Sequence, residues 1–182
     1  IETYLQKNRD WIDGVVITGG EPTLHSDLPN LCQTLRKLDL LVKLDTNGTN
    51  PQIIRQLLDN KLVDYVAMDI KAPLTEQKYH NASGIHTKQL TEKIKETMNT
   101  LIKSTIEYEF RTTIVPTIHR PKDIEQICHK IKGCKKYVLQ NYKANIETLN
   151  PNFKNLKPFS EKKVKVFLQT AKKIIPNTIL RG

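Results

Sequence analysis

Charged and amide side chains occur in this 182-residue chain at the points where short aliphatic stretches end. The residues that could contact a polar ligand in this way are Gly19, Gly20, Glu21, Asp45, Thr46, Asn47, Asp69, Lys71, Arg111 and Asn141. Burying such groups without partners would cost free energy. We therefore predict that they gather at one rim and form a single polar binding site.

The first stretch, "GVVIT", runs into Gly19-Gly20-Glu21-Pro22. The two glycines have no side chains, so a ligand can approach their backbone closely. A glycine carbonyl and the Glu21 carboxylate could together hold an ammonium group through a charge-assisted hydrogen bond. This segment therefore favours a ligand with a small cationic head.

The later stretches add groups of both charges. Asp45 and Asp69 could bind sugar hydroxyls or a metal cation, and Lys71 and Arg111 could face a carboxylate. A ligand with an ammonium, a carboxylate and hydroxyls is typical of an aminoacyl nucleoside. Asp45 and Asp69 could instead be the acid and base pair of an ordinary barrel enzyme.

Each of these features also has a purely structural interpretation. Gly19-Gly20 and Asn47-Gly48 are typical of turns, and Asp69 could simply pair with Lys71. The joint occurrence of such groups after several strands favours a ligand site over independent turns.

The apolar pattern indicates the elements that would position these groups. It predicts strands at 14–18, 40–45, 63–70, 106–115, 135–140 and 177–181, and helices at 25–38, 51–60, 87–103, 121–132 and 160–174. Residues 1–9 read as the end of a helix, strand 14–18 as fully buried, and 141–159 as irregular, with a polar loop after residue 70. Alternating strands and helices predict an α/β fold with a parallel sheet, either doubly wound or a barrel, whose ligands lie at the carboxyl ends of the strands.

Composition narrows the class of protein. The net charge is +10, and the residues from Lys130 onward include twelve lysines and Arg181 but only two acids, Glu147 and Glu161. Such a charge attracts nucleic acid, phosphates or an acidic protein surface, and the structural interpretation is a solvated lysine-rich surface. Few aromatic residues accompany these lysines, so nucleic-acid binding is disfavoured. No apolar run of about 18 residues predicts a membrane span. Three scattered cysteines predict reduced thiols and a cytoplasmic location.

Five ordered motifs resemble one enzyme family. They are "TGGEP" (18–22), "DTNGT" (45–49), "MDIKAP" (68–73), "YEFRTTIVPTIH" (108–119) and "TILRG" (178–182). Together they resemble the glycyl-radical-enzyme activases of the radical S-adenosylmethionine (SAM) superfamily, namely the activators of anaerobic ribonucleoside-triphosphate reductase and of pyruvate formate-lyase. The resemblance covers essentially the whole chain.

The resemblance implies a partial (βα)6 TIM-like barrel and a role for each candidate residue. Gly19, Gly20 and Glu21 would hold the SAM amino group, and Arg111 and Lys71 its carboxylate. The remaining predicted ligands of SAM or its nucleoside are Asp45, Thr46, Asn47 and Asn141. The predicted monovalent-cation site consists of Asp45, Thr46, Ala67 and Asp69.

The resemblance also implies a [4Fe–4S] cluster held by Cys-x3-Cys-x2-Cys, a spacing that Cys32, Cys128 and Cys134 do not have. We therefore expect one barrel domain over residues 1–182 that is N-terminally truncated, with its first strand and cluster loop upstream of Ile1, and inactive alone. A protein that has lost its cluster and only binds SAM or a nucleoside is the alternative.

In the complete protein, the resemblance implies reductive SAM cleavage and hydrogen abstraction from a glycine of a large partner enzyme. Anaerobic ribonucleotide reductase is the first expectation for that partner, with flavodoxin or ferredoxin as electron donor. Another radical SAM enzyme acting on a small molecule, such as a deazapurine synthase, or on tRNA remains an alternative.

Overall fold

A computed structural model of the chain describes residues 2–144 and 156–181. It contains seven α-helices and six β-strands in these residues: α1 (Glu2–Lys7), β1 (Gly14–Ile17), α2 (Leu28–Lys37), β2 (Leu41–Thr46), α3 (Pro51–Asp59), β3 (Tyr65–Asp69), α4 (Glu76–Ser83), α5 (Leu90–Lys103), β4 (Glu107–Ile114), α6 (Pro121–Lys130), β5 (Tyr137–Asn141), α7 (Glu161–Lys172) and β6 (Thr178–Arg181). Short 3-10 helices span Arg9–Trp11 and Pro22–Leu24. The predicted α/β fold with parallel strands is confirmed.

The chain divides into two compact units. The first unit comprises Ile1–Asp69 and Glu92–Tyr108, and the second comprises Ile70–Thr91 and Glu109–Gly182.

In the first unit β2 pairs in parallel with both β1 and β3. Val42 and Leu44 of β2 are fully buried, as are Ile54 and Leu57 of α3 at 0–1% exposure. Burial of each such side chain stabilises the fold by about 1.5–3 kcal/mol. The apolar faces of the helices thus fix the strands whose ends carry the candidate residues.

In the second unit β5 pairs in parallel with β4 and β6. Helices α6 and α7 pack together, and buried Ile124, Ile127 and Phe167 lie on their inward faces. Tyr137 of β5 is fully buried and donates its hydroxyl proton to Thr112 Oγ1 at 2.8 Å.

Three details differ from the predictions. Strand β1 forms as expected but is not fully buried. Val16 is 52% exposed, because in the described residues β1 is an edge strand that pairs with β2 on one side. The predicted polar loop contains helix α4, which ends at Gly84 in the left-handed conformation. The following helix begins at Leu90 rather than Thr87. Of the predicted irregular stretch 141–159, residues 145–155 lie outside the described part.

None of the helices in residues 2–144 and 156–181 combines the length and the apolar character that a membrane crossing requires.

Candidate functional site

The loop after β1 presents bare backbone. Gly19 has a φ of +134°, a conformation that residues with side chains rarely adopt. A Cβ atom added at Gly19 or at Gly20 would meet no heavy atom within 4 Å. Space for a ligand therefore exists directly in front of the backbone of these two residues.

The Glu21 carboxylate is buried and accepts four hydrogen bonds from the protein itself. Its Oε1 accepts from Thr23 N at 3.2 Å, Thr23 Oγ1 at 2.5 Å and Thr46 Oγ1 at 2.7 Å. Its Oε2 accepts from Asn47 N at 2.6 Å. Since each carboxylate oxygen offers about two lone-pair sites, Oε1 is fully used by the protein, whereas Oε2, with Asn47 N as its donor, can accept one more hydrogen bond. It joins the loop after β1 to the loop after β2.

The loop after β2 is closed by its own side chains. Thr46 Oγ1 also accepts from Gly48 N at 3.0 Å, and Asn47 Oδ1 accepts from both the N–H and the hydroxyl of Thr49, at 2.9 and 2.7 Å. Gly48 has a φ of +76°, and a side chain there would collide with Met68. The polar side chains of Thr46 and Asn47 thus shape the turn, as the structural interpretation of Asn47-Gly48 predicted for this dipeptide.

Asp45 and Lys43 lie on the same face of β2, the face opposite to that of Thr46. Asp45 Oδ2 accepts a hydrogen bond from Thr18 Oγ1 at 3.4 Å, and Lys43 Nζ lies 3.6 Å from Asp45 Oδ1. Lys43 was not predicted as a site residue. The signal was present in the sequence, because residues two apart on a strand share a face.

The other members of the predicted cation site are on β3. Ala67 is the register partner of Asp45 and is fully buried, and Asp69, the last residue of β3, shares its face. In the described part of the chain, no three His, Cys, Asp or Glu side chains converge in a way that could hold a metal ion.

The predicted residues Lys71, Arg111 and Asn141 all belong to the second unit. The segment that carries Lys71 is hydrogen-bonded to β4, since Ile70 N donates to Arg111 O at 2.7 Å. Asn141, at the end of β5, donates from Nδ2 to Phe159 O at 2.9 Å. Lys71, Arg111 and Asn141 are all partly exposed.

His119 is a second residue that the sequence analysis did not single out. Its Nδ1 accepts from Val115 N at 3.0 Å, so its Nε2 carries the proton and donates to the Lys71 carbonyl at 2.9 Å. Burial lowers the pKa of His119, which keeps the ring neutral. His119 therefore fixes the backbone of Lys71 to the loop after β4. His119 ends the motif "YEFRTTIVPTIH" (108–119), but the sequence alone did not indicate which groups its ring would contact.

All three cysteines are free and buried. Burial raises the pKa of the Cys32 thiol to about 11, of Cys128 to about 12 and of Cys134 to about 11. Metal clusters bind thiolates, which these environments disfavour. The cysteines of this chain do not fit the ligand set of an iron–sulfur cluster.

Comparison with protein families decides the class. The family model described as the radical SAM superfamily matches residues 1–131. The chain belongs to the radical SAM superfamily. The motif-based expectation of this membership is thereby confirmed.

Three named proteins are similar in sequence to this radical SAM chain. MJ1227 of Methanocaldococcus jannaschii, named as a glycyl-radical enzyme activating enzyme, is 34% identical over 170 residues, which cover 93% of this chain and 70% of MJ1227. MJ1632 of the same organism carries the same description and is 27% identical over 157 residues, 81% of this chain and 59% of MJ1632. The 7-carboxy-7-deazaguanine synthase of Neisseria meningitidis serogroup B is 35% identical over 82 residues, 45% of this chain and 32% of the synthase.

Solved structures agree on the fold. The match to the crystal structure of Streptococcus suis SuiB covers 100% of this radical SAM chain and 42% of the SuiB chain, with a TM-score of 0.75 and 14% identity. At this identity the likeness establishes the fold alone.

Proposed function

We propose that this chain is the SAM-binding part of a glycyl-radical-enzyme activase. The observation that carries the proposal is the 34% identity to MJ1227, which extends over 93% of the chain and so includes every predicted site residue. The chain spans 70% of MJ1227 and 59% of MJ1632, so the activity of the complete protein is part of the proposal.

The groups present suit SAM. The open space in front of Gly19 and Gly20 leaves room for the methionine ammonium, with backbone carbonyls as its acceptors. Because Glu21 already accepts four hydrogen bonds, we assign it chiefly to holding this loop in place. Lys71 and Arg111 are the proposed partners of the SAM carboxylate.

The remaining polar groups have proposed roles of the same kind. Asp45, with Thr46 and Asn47 of the following turn, would contact the nucleoside, and Asn141 would add an amide from β5. His119 keeps the Lys71 backbone fixed, and this sets the point from which the Lys71 side chain extends. When bound, SAM supplies the group that removes a hydrogen atom from the partner's glycine.

The iron–sulfur cluster is a different case. The three cysteines of this chain are buried and wrongly spaced for it, so we assign no residue here to the cluster and derive no step through it.

Anaerobic ribonucleotide reductase is the partner that we propose first, and pyruvate formate-lyase the second, with flavodoxin or ferredoxin as electron donor in the cytoplasm. Lysines of α7 and its surroundings give the second unit a positive surface that suits an acidic partner. A radical SAM reaction on a small molecule is the second candidate, favoured by the 35% identity to the deazaguanine synthase over 82 residues.

Calorimetry with the chain tests the SAM site. We expect SAM to bind and to release heat, and Arg111→Met to weaken binding at least about tenfold through loss of a charged hydrogen bond. Lys93→Met, an exposed lysine on α5, is the matched control and should bind as the wild type does. Equal affinity in wild type and Arg111→Met would remove Arg111 from the site.

Electron paramagnetic resonance tests the reaction. The full gene product, reconstituted with iron and sulfide and incubated with SAM, reductant and the anaerobic reductase, should produce a glycyl radical on the reductase. The second candidate would be favoured by a different result. In that case 5′-deoxyadenosine would form only when a purine-like small molecule is added, and no protein radical would appear.

A further inference from the structure

Lys43 occupies a fixed position beside Asp45 in the first unit. Its Nζ lies 3.6 Å from Asp45 Oδ1 and 5.6 Å from the centroid of the Tyr65 ring, which is within the range of a cation–π contact. Tyr65 is the register partner of Lys43 on β3, so the parallel pairing of the two strands sets this contact. The ammonium therefore lies at ion-pair distance, not hydrogen-bond distance, from the Asp45 carboxylate, and over an aromatic face.

The surroundings of Asp45 do not suit an additional cation. The Thr46 hydroxyl is bonded to Glu21 and to Gly48 N, away from Asp45. In the described residues, no three His, Cys, Asp or Glu side chains form a group that could hold a metal ion. The lysine ammonium already lies close to the Asp45 carboxylate, and like charges a few ångströms apart repel in a partly buried site.

We propose that the Lys43 ammonium is the resident counter-ion of Asp45 and takes the place of a monovalent metal ion there. Both side chains are partly buried, with 32% of Lys43 and 19% of Asp45 exposed, so salt screens this pair less than a surface pair. The inference concerns the charge balance of the first unit, and it does not depend on the proposed enzymatic activity.

This fixed charge has a structural consequence for the loop after β1. Asp45 Oδ2 accepts the hydroxyl proton of Thr18, the residue directly before Gly19. With Lys43 as its permanent counter-ion, Asp45 holds Thr18 whether or not sodium or potassium is present. The loop that we assign to SAM is thereby positioned by protein groups alone.

Thermal unfolding of the chain at constant ionic strength tests the proposal, with sodium, potassium or choline chloride as the salt. We expect the wild type to have one unfolding midpoint in all three salts. Lys43→Met should lose stability in choline and regain several degrees in sodium or potassium, because a small cation can then reach Asp45. Lys43→Met combined with Asp45→Asn should not regain it. Lys61→Met, an exposed lysine, should behave as the wild type.

Two results would overturn the proposal. One is a wild type that is specifically stabilised by sodium or potassium and loses this response in Asp45→Asn, since a metal ion would then already occupy the site. The other is a Lys43→Met protein that gains no such response. If Lys43→Met does not fold, Lys43→Gln carries the same comparison, and the wild-type and Asp45→Asn measurements remain decisive.

Discussion

The Glu21 carboxylate accepts the hydroxyl proton of Thr46 at 2.7 Å, and the same carboxylate accepts the backbone N–H of Asn47 at 2.6 Å. Two loops that follow different strands are thereby joined through one buried acid. Glu21 belongs to the motif that carries the family resemblance, and in this structure its side chain acts on the protein. The proposed ligand contacts fall instead to the backbone of Gly19 and Gly20.

Replacement of Glu21 should therefore reduce stability. We expect Glu21→Gln to lower the free energy of unfolding by about 2–3 kcal/mol, because its amide N–H would face buried donors of Thr46 or Asn47 and leave one without an acceptor. Urea unfolding followed by circular dichroism measures this value. Glu92→Gln, whose exposed carboxylate pairs with Lys95 at the surface, should change it by less than about 0.5 kcal/mol. An unchanged stability of Glu21→Gln together with lost SAM affinity would show that the carboxylate serves the ligand.

The thiols should be inert in the folded chain. Because burial raises the pKa of Cys32 to about 11 and of Cys128 to about 12, almost no thiolate exists at pH 8. We expect Ellman's reagent to label the cysteines only in denaturant, and iron with sulfide to produce no cluster absorbance on this chain. Ser160→Cys places a thiol at an exposed position and should react at once, which verifies the assay. Rapid labelling of the native wild type would contradict the burial.

The sequence alone was sufficient for the order of strands and helices, because their apolar periodicities are strong and each strand is followed by polar residues. It was insufficient for α4, whose one buried side chain, Tyr79, gives almost no periodicity, although Gly84 is a typical helix end. The hydrogen bonds that Glu21 accepts from Thr46 and Asn47 depend on residues 25 or more positions away, and no local pattern encodes them. Lys43 was predictable from strand alternation, whereas the bond from His119 to the Lys71 carbonyl, 48 positions away, was not.

The stability of the chain should depend on pH through His119. Burial lowers the pKa of this histidine, so the unfolded state binds a proton more readily than the folded state does. We expect the free energy of unfolding to be unaffected by His119 above pH 6.5 and to fall as the pH drops from there through the lower folded pKa. His119→Gln should remove this slope, whereas His129→Gln, an exposed histidine, should keep it. Equal slopes in the wild type and His119→Gln would exclude His119 as the cause.

The buried acid Glu109 should make Arg181 important for folding. Arg181 donates from Nη1 to Glu109 Oε1 at 2.7 Å and from Nη2 to Oε2 at 2.9 Å, and the side chain of Glu109 is 1% exposed. We expect Arg181→Met to lower the free energy of unfolding by about 2–3 kcal/mol, since it removes two charged hydrogen bonds from a buried carboxylate and leaves it with Lys136, whose Nζ lies 3.3 Å from Glu109 Oε2. The control Arg36→Met breaks the exposed pair with Asp64 and should cost about 1 kcal/mol or less.

A double variant separates charge from packing at this site. If Arg181→Met destabilises the chain through the buried charge, adding Glu109→Met should restore part of the loss, because the buried carboxylate that has lost its arginine is then removed as well. A double variant that is less stable than Arg181→Met would show that the two side chains act mainly through packing.

The lysines of α7 should steer the proposed acidic partner. Lys162, Lys163 and Lys165 are exposed on the first turns of this helix, where Glu161 is the acidic residue. Reversal of all three to glutamate should slow association with the anaerobic reductase about tenfold or more at low ionic strength, because long-range attraction raises the encounter rate. The difference should shrink above about 0.15 M salt, where charges are screened beyond about 8 Å. Surface plasmon resonance at several salt concentrations measures these rates.

The control variant reverses three exposed lysines elsewhere, Lys37, Lys88 and Lys93, and so changes the net charge equally. Equal slowing in both variants would attribute the effect to total charge and would contradict docking through α7.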